Sequence, residues 1–199
     1  INTKCVPFGF HLEHYKDNTQ NNITQKDYEI PSNKFVIGYA GSIGLSNGLD
    51  TFVEVIKQLK NEKNLHFVIL GGGGLRESYV NFLSDCDNVQ FIPKVERHEV
   101  KTILAKCNVL YFATLKSKVW DYGWSLNKLI DYMMSGKPVL ASYSGYQSMI
   151  NEANSGIIVP AEDKEALKNA ILEISKMPSE ELESMGERGK QWLIKNRQW

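Results

Sequence analysis

The sequence predicts an α/β fold, a doubly wound parallel sheet, and three observations carry that expectation. Short runs rich in β-branched and aromatic residues alternate with longer stretches of helical apolar spacing from residue 35 onward. Glycines gather where those short runs end. The segments between successive runs are too long for hairpins and long enough for right-handed helical crossovers, which is how parallel strands are joined.

Taken in order, FVIGYAG (35–41) reads as a strand ending in glycine, and GLDTFVEVIKQLK places Leu49, Phe52, Val53, Ile56 and Leu59 at helical spacing. The alternation repeats with LHFVILG and LRESYVNFLSD, with VQFIP and ERHEVKTILAKC, with NVLYFA and SLNKLIDYMMS, and with PVLAS and a helix near 147–153. After IIVPAED come two helices, about 163–176 and 179–197, with no strand between them; they are expected on the outside of the sheet. Residues 1–33 are polar, rich in Asn, Gln and Thr and interrupted by Pro7 and Pro31, and read as a linker with one turn of helix. The expected division is therefore 1–33 linker-like, 34–178 sheet domain, and 179–199 a C-terminal helix packing on that domain or crossing from it.

Composition narrows the function. In 199 residues, 42% hydrophobic and 23% charged, one core can be buried. Lys and Arg total 23 against 23 Asp and Glu, so the net charge is zero and nucleic acid is not an expected partner. Cys5, Cys86 and Cys107 are too few and too widely spaced for a disulfide framework, which fits a reducing cytoplasm. No apolar run approaches the roughly 18–20 residues that span a bilayer, and INTKCVPFGF lacks a signal-peptide layout. A start without Met and an abrupt end at NRQW are what a piece of a longer chain would show.

In an open parallel sheet, ligands bind off the carboxyl ends of the strands, so function is sought in loops 41–48, 71–74, 93–98, 113–128 and 142–147. Gly38-Tyr-Ala-Gly-Ser-Ile-Gly44 and the four glycines 71–74 either line a nucleotide site or simply make tight strand-to-helix turns. A dinucleotide fingerprint fits less well, because Arg76 stands where a third glycine is needed. Residues 122–140 are more informative. Ser125 is an expected N-cap, Leu126, Leu129, Ile130, Met133 and Met134 form an apolar stripe, and Gly136 is an expected stop before Pro138. Lys128 falls near the third helical position, where the macrodipole opposes a cation by about 0.3–1 kcal/mol. Either an anion such as a diphosphate shares that helix end with Lys128, or Lys128 pairs with Asp131 on the surface. Trp120, Tyr122 and Trp124 offer a sugar-stacking surface or pack the long loop down. No nucleophile–base arrangement, no Asp-x-Asp metal site and no cofactor motif is visible.

SLNKLIDYMMSGKPVLAS, with YAGSIGLSNGLDTF before it and SGIIVPAEDKEAL after it, resembles the C-terminal domain of group-1, GT4-like glycosyltransferases, especially a bacterial branch using amino-sugar donors in surface-polysaccharide synthesis. The resemblance spans about residues 1–199, and VPFGFHLEHY is similar to the family's interdomain linker. It implies a Rossmann-like domain forming the C-terminal half of a GT-B fold. The implied reaction is retaining transfer from a nucleoside-diphosphate sugar, UDP-linked, to a saccharide or lipid-linked acceptor held by an N-terminal domain. With it come a place in the cytoplasm at the inner face of the cell membrane, peripheral membrane association of the longer enzyme, and part of the catalytic machinery outside this chain.

The family's hallmark is an acid, seven residues, then a second acid that accepts hydrogen bonds from the ribose hydroxyls. Asp131 matches the second position. The first falls on Gly123, so the sugar contact would pass to Asp121, to backbone near Trp124, Ser125 and Leu126, or to Asn127. The family's basic pair in the first strand-to-helix loop is replaced by Ser42 and Asn47; Lys128 becomes the expected phosphate cation, with Lys94, Lys116 and Lys118 behind it. The base is expected against Pro93-Lys94-Val95, and backbone of Gly41 and Ser42 against the phosphates. The same departures support a rival expectation, a non-catalytic nucleotide-binding or assembly module with degenerate motifs.

Overall fold

The computed structural model describes residues 9–15, 28–123 and 127–198. The apolar runs form strands β1 (Phe35–Ala40), β2 (Leu65–Leu70), β3 (Val89–Ile92), β4 (Val109–Ala113), β5 (Val139–Ser142) and β6 (Gly156–Val159). They make one six-stranded sheet in the order β3-β2-β1-β4-β5-β6, and every pairing is parallel. Between the strands lie α1 (Asp50–Gln58), α2 (Arg76–Phe82), α3 (Arg97–Ala105), α4 (Asn127–Met134) and α5 (Met149–Ala153), and after β6 come α6 (Lys164–Ile174) and α7 (Ser179–Arg197). The doubly wound parallel sheet expected from the sequence is the fold observed, and the run IIVPAED supplies its last strand.

Both faces of the sheet are covered, which is why its strands read as continuous apolar runs. On one face Ile37, Tyr39, Phe67, Ile69, Val109 and Tyr111 pack with α1, α2 and α6; Phe52 of α1 stacks on Tyr111 with ring centroids 4.0 Å apart and meets Phe67 edge-on at 5.7 Å. On the other, Val36, Val68, Leu110 and Phe112 pack under α3, α4, α5 and α7. Each such large side chain, once buried, contributes about 1.5–3 kcal/mol.

Caps fix the helix ends. The Asp163 side chain accepts from Ala166 N at 2.9 Å to start α6, and Ser148 and Asn151 cap α5 reciprocally, each worth about 1 kcal/mol. Gly136 stops α4 as expected, at φ 70° with its N–H donating to Met133 O at 3.1 Å.

The 9–15 segment packs on the domain. Phe10 is buried in the α4–α7 face, its N–H donates to Arg197 O at 3.0 Å, and it forms a parallel bridge with Gln198 just beyond α7. A 3-10 turn, Leu12–Tyr15, follows. Among the described residues no helix is long and apolar enough to cross a membrane.

Candidate functional site

The order of the strands reverses between β1 and β4, and a crevice opens off their carboxyl ends there. A cavity of about 510 Å³ lies in it, within the range of small-ligand sites. It is walled by Gly41 and Ser42 after β1, Gly71 and Gly72 after β2, Lys94 and Val95 after β3, and Lys128, Asp131 and Tyr132 of α4. Four separate loops or helix ends, read from the sequence as candidate binding elements, thus converge on one space.

The glycine loops are shaped by each other as well as by the cavity. Gly41 N donates to Leu70 O at 3.0 Å and Ile43 N to Gly72 O at 2.9 Å, so the loops after β1 and β2 continue the pairing of their strands. Gly71, at φ 145°, lies so close that a Cβ there would run into the carbonyl oxygen of Gly41, and Gly73, at φ 151°, would strike that of Ile43. Among the described residues a Cβ on Gly74 would meet nothing within 4 Å. The turn reading therefore accounts for Gly71 and Gly73, while Gly72 exposes backbone to the cavity.

Lys128 is the chemically unusual residue. Its Nζ donates to the Tyr39 hydroxyl at 2.8 Å and stands 4.2 Å from the centroid of that ring. Among the described residues no carboxylate is within ion-pairing distance of it, and burial lowers its pKa from 10.5 to about 8. The alternative of a surface pair with Asp131 is not what forms. Asp131 Oδ1 instead accepts from the Tyr15 hydroxyl at 2.5 Å and faces Arg97 Nη2 at 3.7 Å. Trp124, Ser125 as the expected N-cap, and Leu126 lie outside the described residues, and α4 is described from Asn127.

Two buried tyrosines that sequence reasoning passed over hold this arrangement. Tyr132 Oη accepts from Ala40 N at 2.8 Å and lies 3.1 Å from Ala40 O, pinning α4 to the end of β1. Tyr39 donates to Ser42 O at 2.7 Å while it accepts from Lys128. The only signal for them in the sequence was a phenol inside an apolar run, which needs a polar partner when buried.

Other expected contacts lie elsewhere. Asp121 opens onto a separate, shallow cavity of about 360 Å³ with Lys116, Ser117, Lys118, Ser144 and Gly145. Asn127 is exposed and does not line the larger cavity, and Asn47 sits on the 3-10 turn Leu45–Asn47 outside it. Gly123 has φ 94°, and among the described residues nothing crowds a would-be Cβ, so its backbone conformation favours glycine there. Trp120 Nε1 donates to Leu115 O at 2.9 Å, tying the long loop to itself, whereas Tyr122 is exposed.

The sequence profile of the glycosyl transferases group 1 matches residues 20–192. No curated protein sequence matches the chain. Among solved structures, a glycosyltransferase from Rickettsia africae superposes with a TM-score of 0.75 at 15% identity, over 96% of this chain and 52% of that one. The C-terminal domain of a group 1 glycosyl transferase, LpcC of Francisella tularensis, gives 0.66 at 17% identity, over 82% of this chain and 86% of that one. The S. aureus protein TarM, crystallised as a point mutant in complex with fondaparinux, alpha-GlcNAc-glycerol and UDP, gives 0.69 at 14% identity over 86% of this chain; the chain spans only 34% of TarM's length. At these identities the structural likeness is one of fold, the C-terminal half of a GT-B fold. With the profile covering most of its length, the chain belongs to the glycosyl transferases group 1 family.

Proposed function

We propose that the chain is the donor-binding half of a retaining glycosyltransferase, holding a uridine-linked nucleoside-diphosphate sugar in the 510 Å³ cavity for transfer to a saccharide or lipid-linked acceptor. The observation that carries this is Lys128: a half-buried ammonium with no carboxylate partner among the described residues, walling a cavity that the glycine backbone of Gly41, Gly71 and Gly72 also lines. A partly desolvated, unpaired charge carries a cost, and a bound diphosphate is the partner that offsets it. Asp131, one turn further along α4, accepts the ribose hydroxyls, and the backbone of Lys94 and Val95 faces the base. Asp121, Gly123 and Asn127, with Trp124, Ser125 and Leu126, belong to the sugar side of the same reading. That TarM carries UDP in its crystal structure supports the choice of nucleotide.

The chain's work in this reading is orientation and stabilisation of the departing diphosphate by Lys128 and backbone N–H groups. The acceptor and the remaining catalytic groups belong to a partner domain, and the longer enzyme works in the cytoplasm at the membrane face. A second reading, nucleotide binding without catalysis, draws on Gly123: its positive φ makes the family's first acid unwelcome there, and Ser42 and Asn47 stand in place of the basic pair.

Calorimetric titration of the chain with UDP, GDP, ADP and their sugars tests the proposal. UDP and a UDP-sugar should bind in preference to the others. Failure of every nucleotide to bind overturns it, and binding without any transfer by a longer chain that includes the preceding domain decides for the second reading.

A further inference from the structure

Asp131 stands on the partition between two cavities. One is the 510 Å³ space described above; the other, of about 410 Å³, is lined by Tyr15, Arg97, Lys101, Ser135 and Lys190 with Asp131 itself. Tyr15 and Arg97 line only the second, and both address the same atom, Oδ1, at 2.5 and 3.7 Å. Among the described residues Oδ2 has no partner. The carboxylate is thus engaged from behind through one oxygen.

Tyr15 is itself held in place. Its ring meets the buried Phe10 edge-on, with centroids 5.4 Å apart and planes at 87°, and Lys101 Nζ lies 5.2 Å from its centroid. Phe10 is in turn bridged to Gln198 at the end of α7. A residue from the 9–15 segment is therefore anchored by the C-terminal end of the chain and delivered, across 116 positions of sequence, to the Asp131 carboxylate. Burial, and then the Asp131 acceptor, raise the Tyr15 pKa well above its ordinary 10.0, so the phenol remains a donor throughout the working pH range.

We infer that Tyr15 is a positioning residue of the ribose subsite: by donating to Oδ1 it fixes the rotation of the Asp131 carboxylate and leaves Oδ2 for a vicinal diol, so that the seating of segment 9–15 sets how strongly the chain prefers ribose to deoxyribose. This rests on the reading of Asp131 under Proposed function. The physical ground is preorganisation. A carboxylate already locked in its bound rotamer loses less freedom on meeting the diol than one that must be ordered then. A tyrosine merely completing the packing would affect all ligands alike.

The test is Tyr15→Phe, which removes one hydroxyl and keeps the ring against Phe10, titrated with UDP and with 2′,3′-dideoxy-UDP. UDP should bind roughly three- to tenfold more weakly, the scale of one ordinary hydrogen bond, while dideoxy-UDP binding stays within about twofold. Equal weakening of both ligands, or UDP binding unchanged or tighter, overturns the positioning role even though wild type still prefers UDP. If wild type does not prefer UDP to its dideoxy form, the ribose reading of Asp131 has failed, and this inference with it. Should Tyr15→Phe not fold, Arg97→Gln removes the other, exposed partner of Oδ1 and carries the same expectation in smaller measure; a loss shared equally by both ligands overturns the inference there too.

Discussion

Lys128 Nζ donates to the Tyr39 hydroxyl at 2.8 Å, and Tyr39 donates in turn to the carbonyl oxygen of Ser42 at 2.7 Å. The relay fixes the ammonium against the first loop of the site, gives one of its three N–H groups an acceptor and leaves its charge without a counter-ion among the described residues. Tyr39 supplies a dipole and a ring face, worth about 0.5–2 kcal/mol as a cation–π contact, which does not cancel the partial desolvation of the ammonium. The depressed pKa of about 8 is that imbalance seen from the proton's side.

The first prediction concerns stability and pH. Below pH 8 Lys128 is charged in the folded and unfolded chain alike, and its burial cost is present in full. Between about pH 8 and 10.5 the unfolded chain retains a proton that the folded chain has given up, so this residue's contribution to stability improves as pH rises. The span corresponds to up to about 3 kcal/mol. Lys128→Met keeps the alkyl stem and has no proton to lose. In urea unfolding the variant should be more stable than wild type at pH 7, and its advantage should shrink by pH 9.5. An advantage that is the same at both pH values refutes the buried-charge account.

The second prediction is that the same substitution separates folding from binding. Loss of charge-assisted contacts to a diphosphate costs about 1.5–3 kcal/mol, or roughly ten- to a hundredfold in affinity. Lys128→Met should therefore bind UDP at least tenfold more weakly at pH 7 while folding as well or better. In wild type, UDP affinity should fall between pH 7 and 9.5, because the empty site loses its proton there, and in the variant that fall should be reduced. Normal UDP binding by a stable Lys128→Met chain places the phosphates elsewhere.

A third prediction divides the glycine run. Gly71→Ala drives a Cβ into the Gly41 carbonyl at a backbone conformation unsuited to an L side chain, and a cost of 2 kcal/mol or more, about the upper range for single substitutions, is expected. Gly74→Ala meets nothing and should be neutral or stabilise by up to about 1 kcal/mol through the unfolded chain. Thermal melts of the two variants settle it: equal melting temperatures would mean the loops after β1 and β2 are not packed backbone to backbone.

The architecture was legible because its signal is local. Parallel strands buried on both faces leave unbroken apolar runs, amphipathic helices leave their own period, and the rule that ligands bind beyond the carboxyl ends of strands pointed to the loops that hold Gly41, Lys94 and Lys128. Lys128 stood out as a cation near a helix start, but its physical peculiarity is partial burial against Tyr39, 89 positions away, which no local pattern announces. Tyr132, bonded to Ala40 across 92 positions, and Tyr15, bonded to Asp131 across 116, were invisible for the same reason: their partners are chosen by the register of the fold. Gly123 was legible as a departure from a family pattern, yet its φ of 94° was not, so a conformational demand looked like a missing acid.

The last prediction is that Asp131 grips the ribose. By the sequence resemblance it falls at the second acid position of the family pattern; it walls the cavity one turn beyond Lys128, and has Oδ1 bound from behind while Oδ2 is unpartnered among the described residues. Asp131→Asn preserves the size of the side chain and an acceptor for Tyr15, but places an amide donor where two ribose hydroxyls also need to donate. The loss should be about 1.5–3 kcal/mol, roughly ten- to a hundredfold in UDP affinity. Folding should change little, because Arg97 is 73% exposed and an exposed ion pair is worth about 0–1 kcal/mol. The measurement is a cycle between wild type and Asp131→Asn on one axis and UDP and 2′,3′-dideoxy-UDP on the other. If the carboxylate meets the diol, each change makes the other nearly harmless, and the coupling approaches the whole of the single loss. Additive losses would leave Asp131 a structural anchor for Tyr15 and Arg97, with the ribose held by other groups.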